Sequence, residues 1–118
     1  MVPRMAAMRE PTYFILAALL DGPSHGYGLI KEAAALSEGR VRLTAGTLYG
    51  ALERLAAEGL VEGDREEVVD GRRRRYYRLT GAGEAALAEE TERLRSAAEV
   101  VGGRLASLRR LGTREVSA

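Results

Sequence analysis

The segment that most constrains the fold of this chain is "LTAGTLYGALERLAAEG", residues 43–59. Its leucines recur at offsets of four and seven and so form one apolar stripe of an α-helix that faces a core: Leu48, Leu52 and Leu55. Thr44 is a good N-cap, and Gly59 is suited to the C-terminal end of the helix. Thr44, Thr47 and Tyr49 lie outside this stripe and point away from the core. The first turns of the helix therefore carry side chains that serve a purpose other than core packing.

Two shorter helices are predicted before this one. The first runs from about Pro11, where the missing N–H of proline costs nothing, to Leu20, and "DGP" stops it. The second runs from about Ser24 or Gly26 to Leu36. The first half of the chain is therefore predicted to contain three short helices in a row.

After the third helix the residue pattern changes from a helical period to that of β-strands. Residues 60–69 are rich in β-branched and charged side chains, "DG" at Asp70 and Gly71 is a strong hairpin turn signal, and "RRRYYRL" reads as the returning strand. Three helices followed by a two-stranded hairpin is the order of a winged helix-turn-helix. The predicted fold class is mainly α with a small β-hairpin.

The last helix carries a heptad seam. From Ala85 to Leu111 the pattern is helical, and the predicted dimer interface consists of Leu87, Leu94, Ala98, Val101, Leu105 and Leu108. The helix could pack back on its own domain, but the seam persists for more than three heptads and exceeds what a small domain covers, which favours a homodimer. Gly102 and Gly103 predict a kink or a close helix crossing.

The chain of 118 residues fits one modest core with an appended helix. The predicted division is residues 1–80, an N-terminal helix with a winged helix-turn-helix DNA-binding domain, and residues 81–118, a C-terminal dimerisation helix and tail.

In a winged helix-turn-helix the third helix enters the DNA major groove, and its N-terminal turns reach base edges and phosphates. Hydroxyls can donate to phosphate oxygens, a tyrosine ring can pack on a sugar or a thymine methyl, and small residues let the backbone come close. The candidate DNA-binding residues of this helix are Thr44, Ala45, Gly46, Thr47, Tyr49 and Arg54. Alternatively, Tyr49 packs in the core and Thr44 only caps the helix.

Basic charge is a local feature of the hairpin. The whole chain has a net charge of only +1, whereas residues 65–78 hold six arginines against three acidic residues, a local excess of +3. On a projecting hairpin such arginines would neutralise phosphates or enter a minor groove. Alternatively, the charges form a solvated face that protects a sheet edge. The candidate DNA-binding residues here are Arg72, Arg73, Arg74 and Arg75.

Several classes of protein are disfavoured. There is no cysteine, and His25 is the only histidine, so no metal site, nucleophile pair or other catalytic constellation is predicted. His25 is interpreted as a hydrogen-bonding residue at a helix start. Two glycine-rich segments, "GAGEAA" and "GPSHGYGLIK", lack the context of nucleotide-binding loops, so no cofactor is predicted. The longest apolar run, "YFILAALL", is too short to span a bilayer, and no signal peptide is visible, which predicts a cytoplasmic protein without a membrane partner.

Three motifs, "LLDGPSHGYGLIKE", "LTAGTLYGALERLAAEGLV" and "GRRRRYYRLTGAGEAAL", resemble the PadR family of transcriptional regulators in their order and spacing. The resemblance covers roughly Tyr13 to Leu94. It implies a winged-helix domain, a C-terminal helix that makes a homodimer, and binding to inverted repeats in double-stranded promoter DNA, commonly as a repressor released by a small molecule. Residues 46–49 match the family's Gly-Thr-Leu-Tyr, and the arginines before Tyr76 and Tyr77 match its wing.

A small-molecule effector would have to act through different affinities for two dimer arrangements. The expected site lies between the first helix, with Tyr13 and Phe14, and the last helix around Leu94 to Val101. The alternative function is a winged-helix module for protein contacts, in which the hairpin arginines meet an acidic partner surface without sequence-specific DNA binding.

Overall fold

The computed structural model describes the backbone of residues 8–117 and the side chains of residues 8–112; the first seven residues and the last residue of the predicted domains lie outside this range. The elements are α1 (Glu10–Ala18), β1 (Ser24–His25), α2 (Gly26–Leu36), α3 (Ala45–Ala57), β2 (Val61–Val69), β3 (Arg72–Leu79) and α4 (Gly81–Ser117). Four helices and a small antiparallel sheet confirm the predicted winged helix-turn-helix with a C-terminal helix.

Capping fixes the ends of α3 as the sequence predicts. Thr44 is the N-cap, and its Oγ1 accepts a hydrogen bond from the backbone N–H of Thr47 at 3.2 Å. At the other end Gly59 has a φ of +78°, and the N–H of Leu60 donates to the carbonyl of Leu55 at 2.9 Å. This is the Schellman arrangement, which favours glycine at the left-handed position.

The leucine stripe of α3 forms the centre of the core. Leu48 and Leu52 are fully buried, and Leu55 is 1% exposed. The other fully buried large apolar side chains of the described residues come from α1, α2 and β2: Ile15, Leu16, Leu29 and Val61. Since burying one leucine contributes about 1.5–3 kcal/mol, the stripe fixes which face of α3 turns away from the core.

The sheet has three strands in the order β1-β3-β2, where the sequence predicts only a two-stranded hairpin. The additional strand β1 pairs its Ser24 and His25 with Tyr77 and Tyr76 of β3. Two residues are too few to show a strand period, and of the two predicted starts of the second helix, Ser24 and Gly26, the structure has Gly26. The predicted turn is present, with φ of 52° at Asp70 and 76° at the following glycine.

Helix α4 is continuous through its glycines. The helix begins at Gly81, where Thr80 Oγ1 accepts from the N–H of Gly83 at 3.0 Å, and it continues through Gly102 to Ser117, beyond the predicted end. Gly83 is buried, and a Cβ at this position would collide with the backbone carbonyl oxygen of Leu60. Glycine is therefore needed here for close packing rather than for flexibility. No helix of the described part of the chain is both long and apolar enough to cross a membrane.

The chain divides into two compact units, the first ending at Ala88 and the second beginning at Glu89. This division lies eight residues after the predicted one, because Ala86 and Leu87 of α4 belong to the core of the first unit. Leu87 is only 4% exposed, so the structure assigns it to this core, which differs from its predicted place in a dimer interface.

Candidate nucleic-acid interface

The first turn of α3 is exposed and ends where the buried stripe begins. The hydroxyl of Thr44 donates to Oγ1 of Thr47 at 3.0 Å while accepting the backbone cap. Both threonines are exposed, so their hydroxyls can also reach a ligand. Ala45 and Gly46 are also exposed, and a Cβ at Gly46 would meet nothing within 4 Å. This turn can approach another surface closely.

Tyr49 is half-exposed, with 47% of its surface accessible, so it is not a core residue. Its ring lies against the start of α2, where a Cβ at Gly26 would collide with the tyrosine hydroxyl. Gly26 is buried and has no side chain, and it thereby allows Tyr49 to hold this position between α3 and α2.

The structure does not bring Arg54 to the other candidate residues of α3. It lies seven residues after Thr47, about 10 Å along the helix axis. Its guanidinium donates to the hydroxyl of Thr12 in α1 at 2.9 Å. The contact joins α3 to α1, away from the helix N-terminus.

The wing consists of β2, β3 and the turn that joins them, and its arginines alternate between the two faces of β3. Arg73 and Arg75 lie on the face of Glu66, at 3.6 and 3.3 Å from its carboxylate oxygens. Arg72 and Arg74 lie on the other face. Within the described part of the chain no acidic group is within 4.0 Å of either one. On one face of the arginine cluster Glu66 therefore offsets part of the charge, and on the other face Arg72 and Arg74 form no ion pair with a described residue.

Glu67 opposes Arg74 across the strands, but other groups already bind its carboxylate. Arg65 donates to it at 3.0 Å, and the hydroxyl of Tyr76 donates to it at 3.1 Å. These hydrogen bonds, first that of Arg65 and then that of Tyr76, lower the pKa of Glu67. The guanidinium of Arg65 also stacks 4.0 Å from the centre of the Tyr76 ring.

A cleft of about 640 Å³, which we call the wing cleft, lies between the wing, the start of α2 and Tyr49. Its lining combines four arginines with one aspartate and several aromatic rings: His25, Gly26, Tyr27, Tyr49, Val69, Asp70 and Arg72 to Arg75. The structure thus brings Tyr49 together with the predicted wing arginines. Basic and hydrogen-bonding groups converge on the cleft beside α3.

His25 and Tyr27 line the cleft, although neither is among the DNA-binding residues predicted from the sequence. His25 Nδ1 accepts from the N–H of Gly28 at 3.3 Å, which confirms its predicted role at a helix start, and its ring packs edge-on against Tyr76. Burial, and secondarily the positive charge of Arg74, lower the pKa of His25. The imidazole is therefore neutral at pH 7, and its proton is on Nε2 because Nδ1 accepts.

The remaining candidate residues lie elsewhere in the chain. The apolar side chains of the predicted seam in α4 are 43–64% exposed: Leu94, Val101, Leu105 and Leu108; Ala98 is exposed as well. Tyr13 and Phe14 form an edge-to-face pair with ring centres 5.4 Å apart, and both are partly exposed. Tyr13 also packs against the core of the first unit.

Comparison with known proteins gives one family. The model of the transcriptional regulator PadR-like family matches residues 15–89. The chain is 47% identical over 90 residues to transcriptional regulator Rv3488 of Mycobacterium tuberculosis, which covers 75% of this chain and 80% of the relative. The range that the family model matches includes α3 and the wing.

Solved structures share the fold. A PadR family transcription regulator from Clostridium difficile superimposes with a TM-score of 0.68 at 25% identity, over 82% of this chain and 99% of that chain. Bacillus subtilis PadR in complex with operator DNA superimposes with a TM-score of 0.60 at 23% identity, over 69% of this chain and 46% of that chain. With its winged helix, its exposed α3 N-terminus and its family match, the chain belongs to the PadR-like family of transcriptional regulators.

Proposed function

We propose that this transcriptional regulator binds inverted-repeat promoter DNA as a homodimer and acts as a repressor that a small molecule releases. The observation that carries the DNA-binding part is the exposed first turn of α3. Leu48 and Leu52 are completely buried and hold the helix, while Thr47 is exposed on the side that faces away from the core. Buried anchors and an exposed polar turn are what a recognition helix in a major groove requires.

The wing supports the same proposal. It lies beside Tyr49, and two of its arginines, Arg72 and Arg74, have no carboxylate oxygen of a described residue within 4.0 Å. DNA carries a dense row of phosphates on both sides of the major groove, and unpaired arginines next to a recognition helix fit that charge. The likeness of the fold to Bacillus subtilis PadR, whose structure contains operator DNA, agrees with this arrangement.

The exposed stripe of α4 supports the proposed dimer. Leu94 and Leu105 are 43% and 48% exposed on one helix face, together with the other seam residues. Water contact with such a stripe is unfavourable, and a second copy of the same helix would cover it. A dimer of this kind has two-fold symmetry, so its two copies of α3 would bind two half-sites of an inverted repeat.

The DNA-binding proposal is tested by removing one hydroxyl. A duplex with high affinity is first selected from random sequences, and its binding is measured by fluorescence anisotropy. Thr47→Val keeps the shape of the side chain, and the lost hydrogen bond to a charged phosphate, about 1.5–3 kcal/mol, is expected to weaken binding at least about tenfold. The control Ala57→Val places the same side chain at the exposed C-terminal end of α3 and is expected to leave affinity unchanged. Equal affinities for wild type and Thr47→Val would contradict the proposed orientation of α3.

The effector part of the proposal concerns Tyr13 and Phe14. Their edge-to-face pair offers partly exposed aromatic surface on α1, in a chain with six aromatic residues. We expect candidate metabolites that release the selected duplex from wild type to fail with Tyr13→Ala, once its folding and dimerisation have been confirmed. Equal release from both proteins would exclude Tyr13 from the effector site.

A further inference from the structure

The face of α3 opposite its buried leucine stripe carries one charged group. Gly46, Gly50 and Glu53 follow one another on this face at offsets of four and seven, and all three are exposed. We call these three residues the α3 ridge. The next residue, Arg54, donates to Thr12 and so turns toward α1. The charge of the ridge is therefore the carboxylate of Glu53.

Glu53 has no hydrogen-bond or ion-pair partner among the residues that the structure describes. The acidic residues of β2 differ from it, because each has an arginine nitrogen at 2.6–3.3 Å: Glu62, Asp64, Glu66 and Glu67. No contact within the described chain thus uses the carboxylate of Glu53, and it lies on the helix face that the proposed function turns toward DNA.

A carboxylate on this face limits which DNA the helix can accept. Phosphates line both sides of the major groove and would repel Glu53, so a favourable contact requires a hydrogen-bond donor on a base edge. Guanine and thymine have only acceptors at this edge, and adenine has the N7 acceptor beside its amino group. Cytosine has the N4 amino group and no acceptor. Of the four bases, cytosine therefore fits Glu53 best.

The turn before Glu53 leaves room for a base edge. Side chains of a helix lean toward its N-terminus, so a glutamate covers the preceding turn, which here contains Gly50. A Cβ at Gly50 would meet nothing within 4 Å, so no described neighbour requires glycine, although it is a poor helix former. From Gly46 to Glu53 the ridge is about 10 Å long, which corresponds to about three base pairs.

Resting on the proposed function, we propose that Glu53 determines sequence specificity by accepting a hydrogen bond from the N4 amino group of a cytosine in the major groove of each half-site. Thr47 lies six residues earlier, about 9 Å along the helix axis, and contacts the duplex at a different position. The contact of Glu53 discriminates between bases, whereas phosphate contacts of other residues supply the general affinity for DNA.

The test repeats the selection from random duplexes with Glu53→Ala and with the control Glu58→Ala. Each variant raises the net charge by one, and Glu58 is an exposed C-cap residue of α3 that lies off the ridge. Melting temperatures verify that both variants are folded. Wild type and the control are expected to select a C·G pair at one fixed position of each half-site, and Glu53→Ala is expected to accept any base pair there.

The strength of the contact is measured with a second duplex, in which T·A replaces this C·G pair in one half-site. The replacement puts the O4 acceptor of thymine in the place of the N4 donor. It should weaken binding by wild type and by the control about 5- to 150-fold. It should not weaken binding by Glu53→Ala, because this variant has no carboxylate to discriminate between the two pairs.

Three results would overturn the role of Glu53. They are selection of the same cytosine by Glu53→Ala, equal losses with T·A in wild type and Glu53→Ala, and loss of the cytosine in the control as well, which would assign the effect to net charge. The proposed function would stand in each case if wild type still prefers the selected duplex to a scrambled one. Wild type with no such preference would overturn both proposals.

Discussion

Charged residues in the exposed stripe of α4 are expected to dissociate the proposed dimer. The stripe includes Leu94, Val101, Leu105 and Leu108, which are between 43% and 64% exposed in the single chain. Complete burial of such a side chain contributes about 1.5–3 kcal/mol, so burial of the exposed half contributes about 0.7–1.5 kcal/mol. Eight such side chains in two copies give about 6–12 kcal/mol before the cost of association.

Leu94→Glu with Leu105→Glu removes four of these eight side chains, or about 3–6 kcal/mol, and adds charges that resist burial. At 1.4 kcal/mol per factor of ten, the dimer should weaken by about two to four orders of magnitude. Sedimentation equilibrium at micromolar concentration measures this directly. The matched control, Val100→Glu with Leu111→Glu, replaces exposed apolar residues of α4 that lie off the stripe, at 63% and 57% exposure.

We expect wild type and the control to sediment as dimers and the stripe variant to sediment as a monomer. The stripe variant should also lose high affinity for an inverted repeat, since each half-site would then be bound separately. A monomeric wild type, or equal dissociation of the control and the stripe variant, would refute the assignment of the stripe.

Two further predictions concern stability. Gly83→Ala should lower the melting temperature, because its Cβ would collide with the carbonyl oxygen of Leu60, although alanine is the better helix former by about 1 kcal/mol. In the control Gly102→Ala the new Cβ meets nothing within 4 Å, so this variant should leave stability unchanged or raise it. The opposite order of melting temperatures would contradict the packing of α4. Stability should also fall as pH drops below the usual His25 pKa of 6.5, because the pKa is lowered in the folded protein and the unfolded chain binds the proton first. His25→Asn keeps a capping oxygen but cannot titrate, so denaturant melts should show a weaker pH dependence, and an undiminished one would exclude His25 as its source.

Local patterns were sufficient to predict α3. The leucine spacing, the threonine N-cap and Gly59 each depend on residues within one or two helical turns, and the structure contains all three. The two-residue turn at Asp70 is also a local signal, and it fixes the register that pairs Glu66 with Arg75 and Glu67 with Arg74. The two faces of the wing could thus have been separated from the sequence by counting outward from the turn.

Contacts between distant segments could not be read in this way. The need for glycine at residues 26 and 83 comes from Tyr49 and Leu60, which lie more than twenty residues away in the chain. Strand β1 has two residues and exists because β3 offers a free edge. The wing cleft depends on both features, since β1 places His25 and Gly26 beside Tyr49. The sequence therefore indicated the helix and the arginines but not the cleft between them.

We propose that this winged helix recognises particular DNA sequences. The most direct measurement is the affinity of wild type for the selected duplex and for a scrambled duplex of equal length and composition, at physiological salt. A sequence-specific regulator should bind the selected duplex at least about 10³-fold more tightly, and raising the salt should weaken binding to both duplexes. Equal affinity for the two duplexes would contradict sequence-specific recognition.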